Sequence, residues 1–325
     1  MYKKIILIIF VFISASLNVF SMGNQENSSV QESIPAVDTV AQVNQPATRS
    51  AANTAANVQR AKLVMKALAE AYPRQIDRVE FRNNDWAVLL RGTWYFYAQG
   101  KILPQNLLAS ESQYSTLPFY NYQEDLPPWR NLTAEESERF RNMSQNRNQT
   151  TTRRSPHFFD NLWRASSHSE AYDRVKTLRF LGHSVTVHYL ILENLSLVEE
   201  HILALSRTDP QVRTWVNNIG SLEGWSWRNI AETQSRSFHS YGLAIDIIPR
   251  SYGGKEAYWM WASSRRSDWW NISYNDRYHP PVSVIKAFEK FGFVWGGKWL
   301  YFDTIHFEFR PEVLILAGMP PETRR

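Results

Sequence analysis

The spacing of apolar and polar positions divides the chain into stretches with different periods. Ala61 to Tyr72 puts Leu63, Ala67 and Leu68 at helical spacing, and Pro73 stops the run. Two strand-like runs follow, Arg78–Arg82 and Trp86–Leu90. Between them Asn83-Asn84-Asp85 has turn chemistry, which predicts a hairpin, and the aromatic run Thr93–Ala98 extends it to a third strand. Thr133 to Glu136 has the spacing of a capping box, in which a threonine hydroxyl and a glutamate carboxylate satisfy each other's backbone N–H groups at a helix start. Further on, Ser184–Leu192 reads as a strand and Ser196 to Glu199 as a second capping box. Asp209-Pro210 is an N-cap followed by proline at the first helical position. It predicts a helix with Val212, Trp215, Val216 and Ile219 on one face, closed by Gly220. A helix is expected over Val282–Phe291, ending at Gly292, and β-rich segments surround Ile245–Ile248 and Ile305–Phe309. Strands and helices without a regular βαβ alternation indicate an α+β class. No internal repeat is evident.

Composition shifts suggest the organisation. Lys3 and Lys4, the apolar run Ile5 to Phe20, and Val19 and Ser21 read as a secretory signal over 1–21, with the mature chain starting near Met22. The run is shorter than the roughly 20 apolar residues that cross a bilayer, so cleavage is expected rather than stable membrane insertion, an uncleaved anchor being the alternative. Residues 22–58 are rich in Asn, Gln, Ser, Thr and Ala and bury too little apolar surface to fold; they read as a disordered tether. A small α/β module over 59–141 and a polar linker over 142–155 then precede a C-terminal domain over 156–325. The chain has no cysteine, so a metal site must draw on His, Asp or Glu, and no disulfide forms. The formal net charge of +5 is mild and spread out, which argues against a nucleic-acid partner and suits an anionic wall polymer. The 13 tryptophans serve either the core or stacking surfaces for sugars and peptides.

Chemistry concentrates in two segments. In Ser237-Phe238-His239-Ser240-Tyr241-Gly242-Leu243-Ala244-Ile245-Asp246, Gly242 permits a tight turn after the histidine. Leu243 to Ile248 reads as a buried strand, where an aspartate is costly unless it is paired or meets a cation. The turn lets His239 and Asp246 converge. In the second segment, Asp303 to Phe309, strand alternation puts Ile305, Phe307 and Phe309 on one face and His306 with Glu308 on the other. Two histidines and one carboxylate with an open fourth position describe a catalytic zinc site rather than a structural one. Zinc held in this way lowers the pKa of its water to about 7 and polarises a carbonyl, and Asp303 sits where it can take the proton.

Ser-x-His-x-x-Gly-x-Ala-x-Asp at 237–246 with Asp-x-x-His at 303–306 resembles the zinc D-alanyl-D-alanine carboxypeptidases and L-alanyl-D-glutamate endopeptidases, of endolysin type, that cut peptidoglycan stem peptides. Phe291 to Trp299 resembles the Gly-Phe-x-Trp-Gly-Gly-x-Trp stretch of the endopeptidase branch, and Trp227 to Ile230 an Arg-containing segment upstream of it. The resemblance covers roughly residues 180–315. It implies that His239, Asp246 and His306 hold one Zn2+, that Asp303 is the general base, and that Arg228 holds a substrate carboxylate or carbonyl. It also implies a Hedgehog/D-Ala-D-Ala peptidase-like fold, a small mostly antiparallel sheet with helices packed against it, in a monomeric exported enzyme of the periplasm or cell envelope. Trimming of a terminal D-alanine and cleavage within the stem both remain open. Two departures bear on substrate preference: Ala231 to Gln234 lacks the glycine expected after the Arg segment, and Ser251–Tyr278 is long and Trp-rich. The rival class is an inactive wall-binding protein that keeps the peptidase fold.

Several residues keep two readings. Ser237 binds substrate or caps a turn; Glu308 orients His306 or is solvated; Tyr241 reaches the cleft or packs. Trp259, Trp261, Trp269 and Trp270 form a cleft lip or a satellite cluster. His157, His168, His183, His188, His201 and His279 lack partners at ligand spacing and are read as structural or surface groups.

Overall fold

The computed structural model describes residues 55–126, 132–146 and 152–322; the expected signal and most of the tether lie outside them. Helix α1 (Ala55–Ala71) is alanine-rich, and alanine is the strongest helix former. Its Ala61, Val64, Met65 and Leu68 are buried at i, i+3, i+4 and i+7, and Pro73 follows its end. Strands β1 (Ile76–Arg82), β2 (Asp85–Leu90), β3 (Thr93–Phe96) and β4 (Leu103–Pro104) form an antiparallel sheet in that order. The expected hairpin turn is present: Asn83 and Asn84 both take positive φ, 49° and 61°, as tight hairpin turns that match strand twist require. β5 (Tyr114–Ser115) pairs in parallel with β6 (Arg153–Arg154). Between them α2 (Ala134–Gln145) starts at the expected capping box, with Thr133 and Glu136 bonded reciprocally. The stretch read as a linker therefore contains the last turn of α2 and all of β6, and Ser155 is buried.

Helices α3 (His157–Trp163) and α4 (His168–Tyr172) lead into a hairpin of β7 (Val175–Phe180) and β8 (His183–His188), followed by α5 (Leu192–Thr208) and α6 (Pro210–Asn217). Two expectations are corrected here. α5 begins at Leu192, so Ser196 lies inside it; a single 3-10 turn already starts at Tyr189, where the His188 ring accepts from Leu190 N. α6 stops at Asn217, because Ile219 opens β9 (Ile219–Glu223), which pairs with β10 (Ala244–Pro249). Sheet pairing outweighs the helical spacing of Ile219.

After α7 (Trp259–Ser263) and α8 (Val282–Lys290), β11 (Phe293–Trp295) and β12 (His306–Phe309) complete a second antiparallel sheet, ordered β11-β12-β10-β9, and α9 (Pro311–Leu316) follows. The architecture is thus mixed, helices with small and largely antiparallel sheets, as an α+β class requires. One contiguous hydrophobic cluster includes Val64, Leu68 and Val88 beside the first sheet and Ile245, Phe288 and Phe307 beside the second. Among the described residues no helix is long and apolar enough to cross a membrane.

Candidate metal centre

The centre lies where β10 meets β12. Antiparallel register sets Asp246 directly opposite His306, so one pair of neighbouring strands supplies two of the three candidate ligands. His239 comes from the 3-10 turn Phe238–Tyr241 just before β10. Gly242 ends that turn at φ 70°, and a Cβ there would lie 2.6 Å from the backbone nitrogen of His188, so the sharp return of the chain needs glycine.

The donor atoms converge. His239 Nε2 is 3.2 Å from His306 Nδ1, His306 Nδ1 is 2.9 Å from Asp246 Oδ1, and His239 Nε2 is 3.3 Å from Asp246 Oδ2. A tetrahedral ion with bonds of about 2.0 Å holds its ligand atoms about 3.3 Å apart, so the spacing fits such an ion. Both rings are also held in the required tautomer. His239 Nδ1 lies 2.6 Å from the Gly224 carbonyl, which only accepts, so Nδ1 carries the proton and Nε2 offers its lone pair. His306 Nε2 lies 3.2 Å from the Glu308 carboxylate, which leaves Nδ1 to face Asp246 and His239. Among the described residues these three side chains form the one group of His, Asp and Glu able to hold a metal ion, and all three are buried.

The electrostatics favour a cation at this point. Burial works against the charged form of Asp246, but the charges and hydrogen bonds of His239 and His306 hold its carboxyl well below the usual range. Burial would likewise lower the His306 pKa, yet bonds and charge from Asp246 and Glu308 carry it up to about 10.

Asp303 stands immediately before this group. Its backbone N–H donates to Gly296 O at 3.1 Å, and a Cβ on Gly296 would come within 2.6 Å of the Asp303 carbonyl, so the Trp-Gly-Gly turn fits closely against it. Burial pushes the Asp303 carboxyl up to about 7; the charge of His306 opposes this and Asp246 adds to it. Oδ1 of Asp303 is buried with no hydrogen-bond partner. Buried carboxylate oxygens are seldom left so, and a substrate or water would satisfy this one.

The remaining candidates fall at different distances from the chemistry. Arg228 is exposed, makes no ion pair among the described residues, and lines a cavity of about 310 Å³ with Trp227, Asn229, Arg236 and Ser240. Its charge reaches Asp303. Ser237 Oγ accepts from His239 N at 3.3 Å, capping the turn that carries the ligand. Tyr241 packs on Phe159 and Phe238 and donates to Asp160 at 3.0 Å, which removes it from the cleft. His188 is buried, with Nε2 3.0 Å from Trp163 O, and belongs to the core. Trp259, Trp269 and Trp270 form a satellite cluster with Phe140, Ile272 and Phe302, while Trp261 is exposed against Tyr252 and Tyr258. The backbone of Tyr258 bridges that of Asp303, so this segment backs the acid.

Sequence reasoning missed the Gly224 carbonyl, for which no sequence signal exists, and the buried groups beyond Glu308. β12 ends at Phe309 and Arg310 caps α9, so Arg310 and Glu312 join Glu308 through the strand-to-helix turn and not through strand alternation.

Residues 231–309 match the family model of D-alanyl-D-alanine carboxypeptidase, and residues 64–119 match a family described only as a domain of unknown function. The first match spans 237–246, 291–299 and 303–306 and starts after Arg228. No curated protein and no solved structure matches the chain. The first match covers part of a domain, and over that part it supports the zinc D-alanyl-D-alanine carboxypeptidase family whose motifs the segment resembles. This stretch of the chain is accordingly peptidase-like, with a buried His-Asp-His group suited to a metal ion.

Proposed function

We propose that the protein is an exported zinc peptidase that hydrolyses an amide bond in peptidoglycan stem peptides, working as a monomer in the periplasm or cell envelope on a Hedgehog/D-Ala-D-Ala peptidase-like scaffold. The observation that carries this reading is the convergence of three ligand atoms beside an acid whose inner oxygen is unpartnered. His239, Asp246 and His306 hold the ion, which when bound supplies Lewis acidity toward a water molecule and the scissile carbonyl. Asp303 takes the proton from the attacking water and delivers it to the leaving amine, so that water and amide become acid and amine. A carboxyl already raised to about 7 is suited to both steps. Arg228, exposed beside the cleft, orients a substrate carboxylate or carbonyl through its planar guanidinium. Ser237 contributes by capping the turn that carries His239.

Digestion of purified muropeptides, read by mass spectrometry with chelator, without it, and after zinc is restored, tests the proposal. Release of terminal D-alanine marks a carboxypeptidase, and cleavage between L-alanine and D-glutamate an endopeptidase. Binding of muropeptides without any cleavage, at every metal concentration, would replace the enzyme with the wall-binding alternative.

A further inference from the structure

Glu308 does not end at His306. Its other oxygen, Oε1, accepts from Arg310 Nη1 at 3.1 Å, and Arg310 Nε donates to Glu312 Oε1 at 2.5 Å. Arg310 and Glu312 have no exposed surface. The far end of this ladder lies in the N-terminal part of the chain. Tyr72, just past α1, donates its hydroxyl to Glu312 Oε2 at 2.6 Å, and Arg310 Nη2 donates to the Pro118 carbonyl at 2.9 Å. Both contacts come from the half of the chain that holds the first sheet, and Tyr72 lies 240 residues before Glu312 in sequence.

A second set of contacts converges on the same ligand from the same half. Trp299, whose ring centroid lies 5.3 Å from that of His306, donates its indole N–H to Tyr120 at 2.8 Å. Tyr122 receives the backbone N–H of Trp295 at 3.0 Å, so the strap that follows Pro118 grips both ends of the Trp-Gly-Gly turn.

We propose that the N-terminal segment, which matches a domain of unknown function, is a positioning element of the metal centre: Tyr72 and Pro118 fix the Arg310–Glu312 pair, which fixes Glu308, which sets the orientation of His306. This inference rests on the metal-centre reading above. A buried glutamate between one imidazole and one guanidinium is placed by whichever partner is held more rigidly. Arg310 is tied at three corners, to Glu308, Glu312 and Pro118. Tyr72 closes the last open oxygen of Glu312, and such closed buried networks hold one geometry. Groups behind a metal ligand tune affinity by roughly 10–100-fold, and a hydroxyl further along the chain of contacts acts by several-fold less.

The test is zinc affinity of the full-length protein, measured by competition with a chromophoric chelator, beside the melting temperature of the metal-free form. Tyr72→Phe and Glu312→Gln are the probes, Val88→Ala is a core change in the same segment but off the ladder, and His306→Ala removes the ligand. The expected result is about 3- to 10-fold weaker zinc binding for Tyr72→Phe and about 10-fold or more for Glu312→Gln. Val88→Ala should melt lower and bind zinc as the wild type does. Should His306→Ala lose zinc while both ladder variants keep wild-type affinity, or should Val88→Ala weaken binding as much as they do, the positioning role is overturned and the metal centre stands. A His306→Ala protein that binds zinc like the wild type overturns both.

Discussion

Two buried charged regions share β12 and its approach and differ in one respect. In the ladder Glu308–Arg310–Glu312, Arg310 donates to both carboxylates and to Pro118, and Tyr72 closes the far end. In the centre itself Asp303 Oδ1 is buried with no hydrogen-bond partner among the described residues, and the ligand atoms of two imidazoles and a carboxylate lie 2.9–3.3 Å from one another. Both regions bear the desolvation cost of buried charge, which close pairing offsets in the first. The closed network can only hold a shape. The open one is left with bonding capacity that a metal, a water and a substrate would complete, which is the arrangement chemistry needs.

Breaking the open region should have the larger effect on turnover. His306→Ala is expected to leave no bound zinc and no measurable hydrolysis, read by metal analysis and muropeptide digestion. Asp303→Asn keeps the three ligands, so zinc should stay stoichiometric while turnover falls by about 10²–10⁴-fold, the usual contribution of a positioned acid–base group. A near-wild-type rate for that variant would remove Asp303 from the mechanism. Breaking the closed region should appear as stability: Glu312→Ala leaves a fully buried Arg310 short of one partner and should cost about 3–5 kcal/mol in denaturant unfolding.

The smallest effect sharpens the contrast through a second buried histidine. His306 lies between carboxylates and is carried above the ordinary histidine range, whereas the ring nitrogens of His188 bond the Trp163 carbonyl and the Leu190 amide. Burial takes the His188 pKa down to about 4, with the charges of Arg174 and Arg91 adding to the drop and the Trp163 bond opposing it. The unfolded chain titrates near 6.5, so between about 6.5 and 4 it binds a proton that the folded protein excludes. Stability from this group is therefore complete above about 6.5 and falls by about 3 kcal/mol as pH drops to 4. Metal-free His188→Gln should show a flatter loss of melting temperature over that window; an unchanged acid limb would mean that another group governs it.

The same contrast explains what was legible in the sequence. Local rules gave the Asn83-Asn84 hairpin, the Thr133 capping box and the start of α6 at Pro210, because turn and cap preferences reside in adjacent residues. They failed at Ile219, where pairing with β10 overrode helical spacing, and at Ser196, where the helix began one turn earlier. At the centre, the period-two alternation in β12 put His306 and Glu308 on one face, and the structure bonds them at 3.2 Å. The Gly224 carbonyl and Tyr72 reach the site through tertiary packing alone, so nothing near them in sequence marks them.

The most direct measurement of the central claim is anomalous diffraction at the zinc edge from crystals of the purified, active protein. A single peak is expected about 2.0 Å from His239 Nε2 and His306 Nδ1 and bonded to the Asp246 carboxylate. A zinc peak elsewhere, with these three side chains remote from it, would contradict that claim.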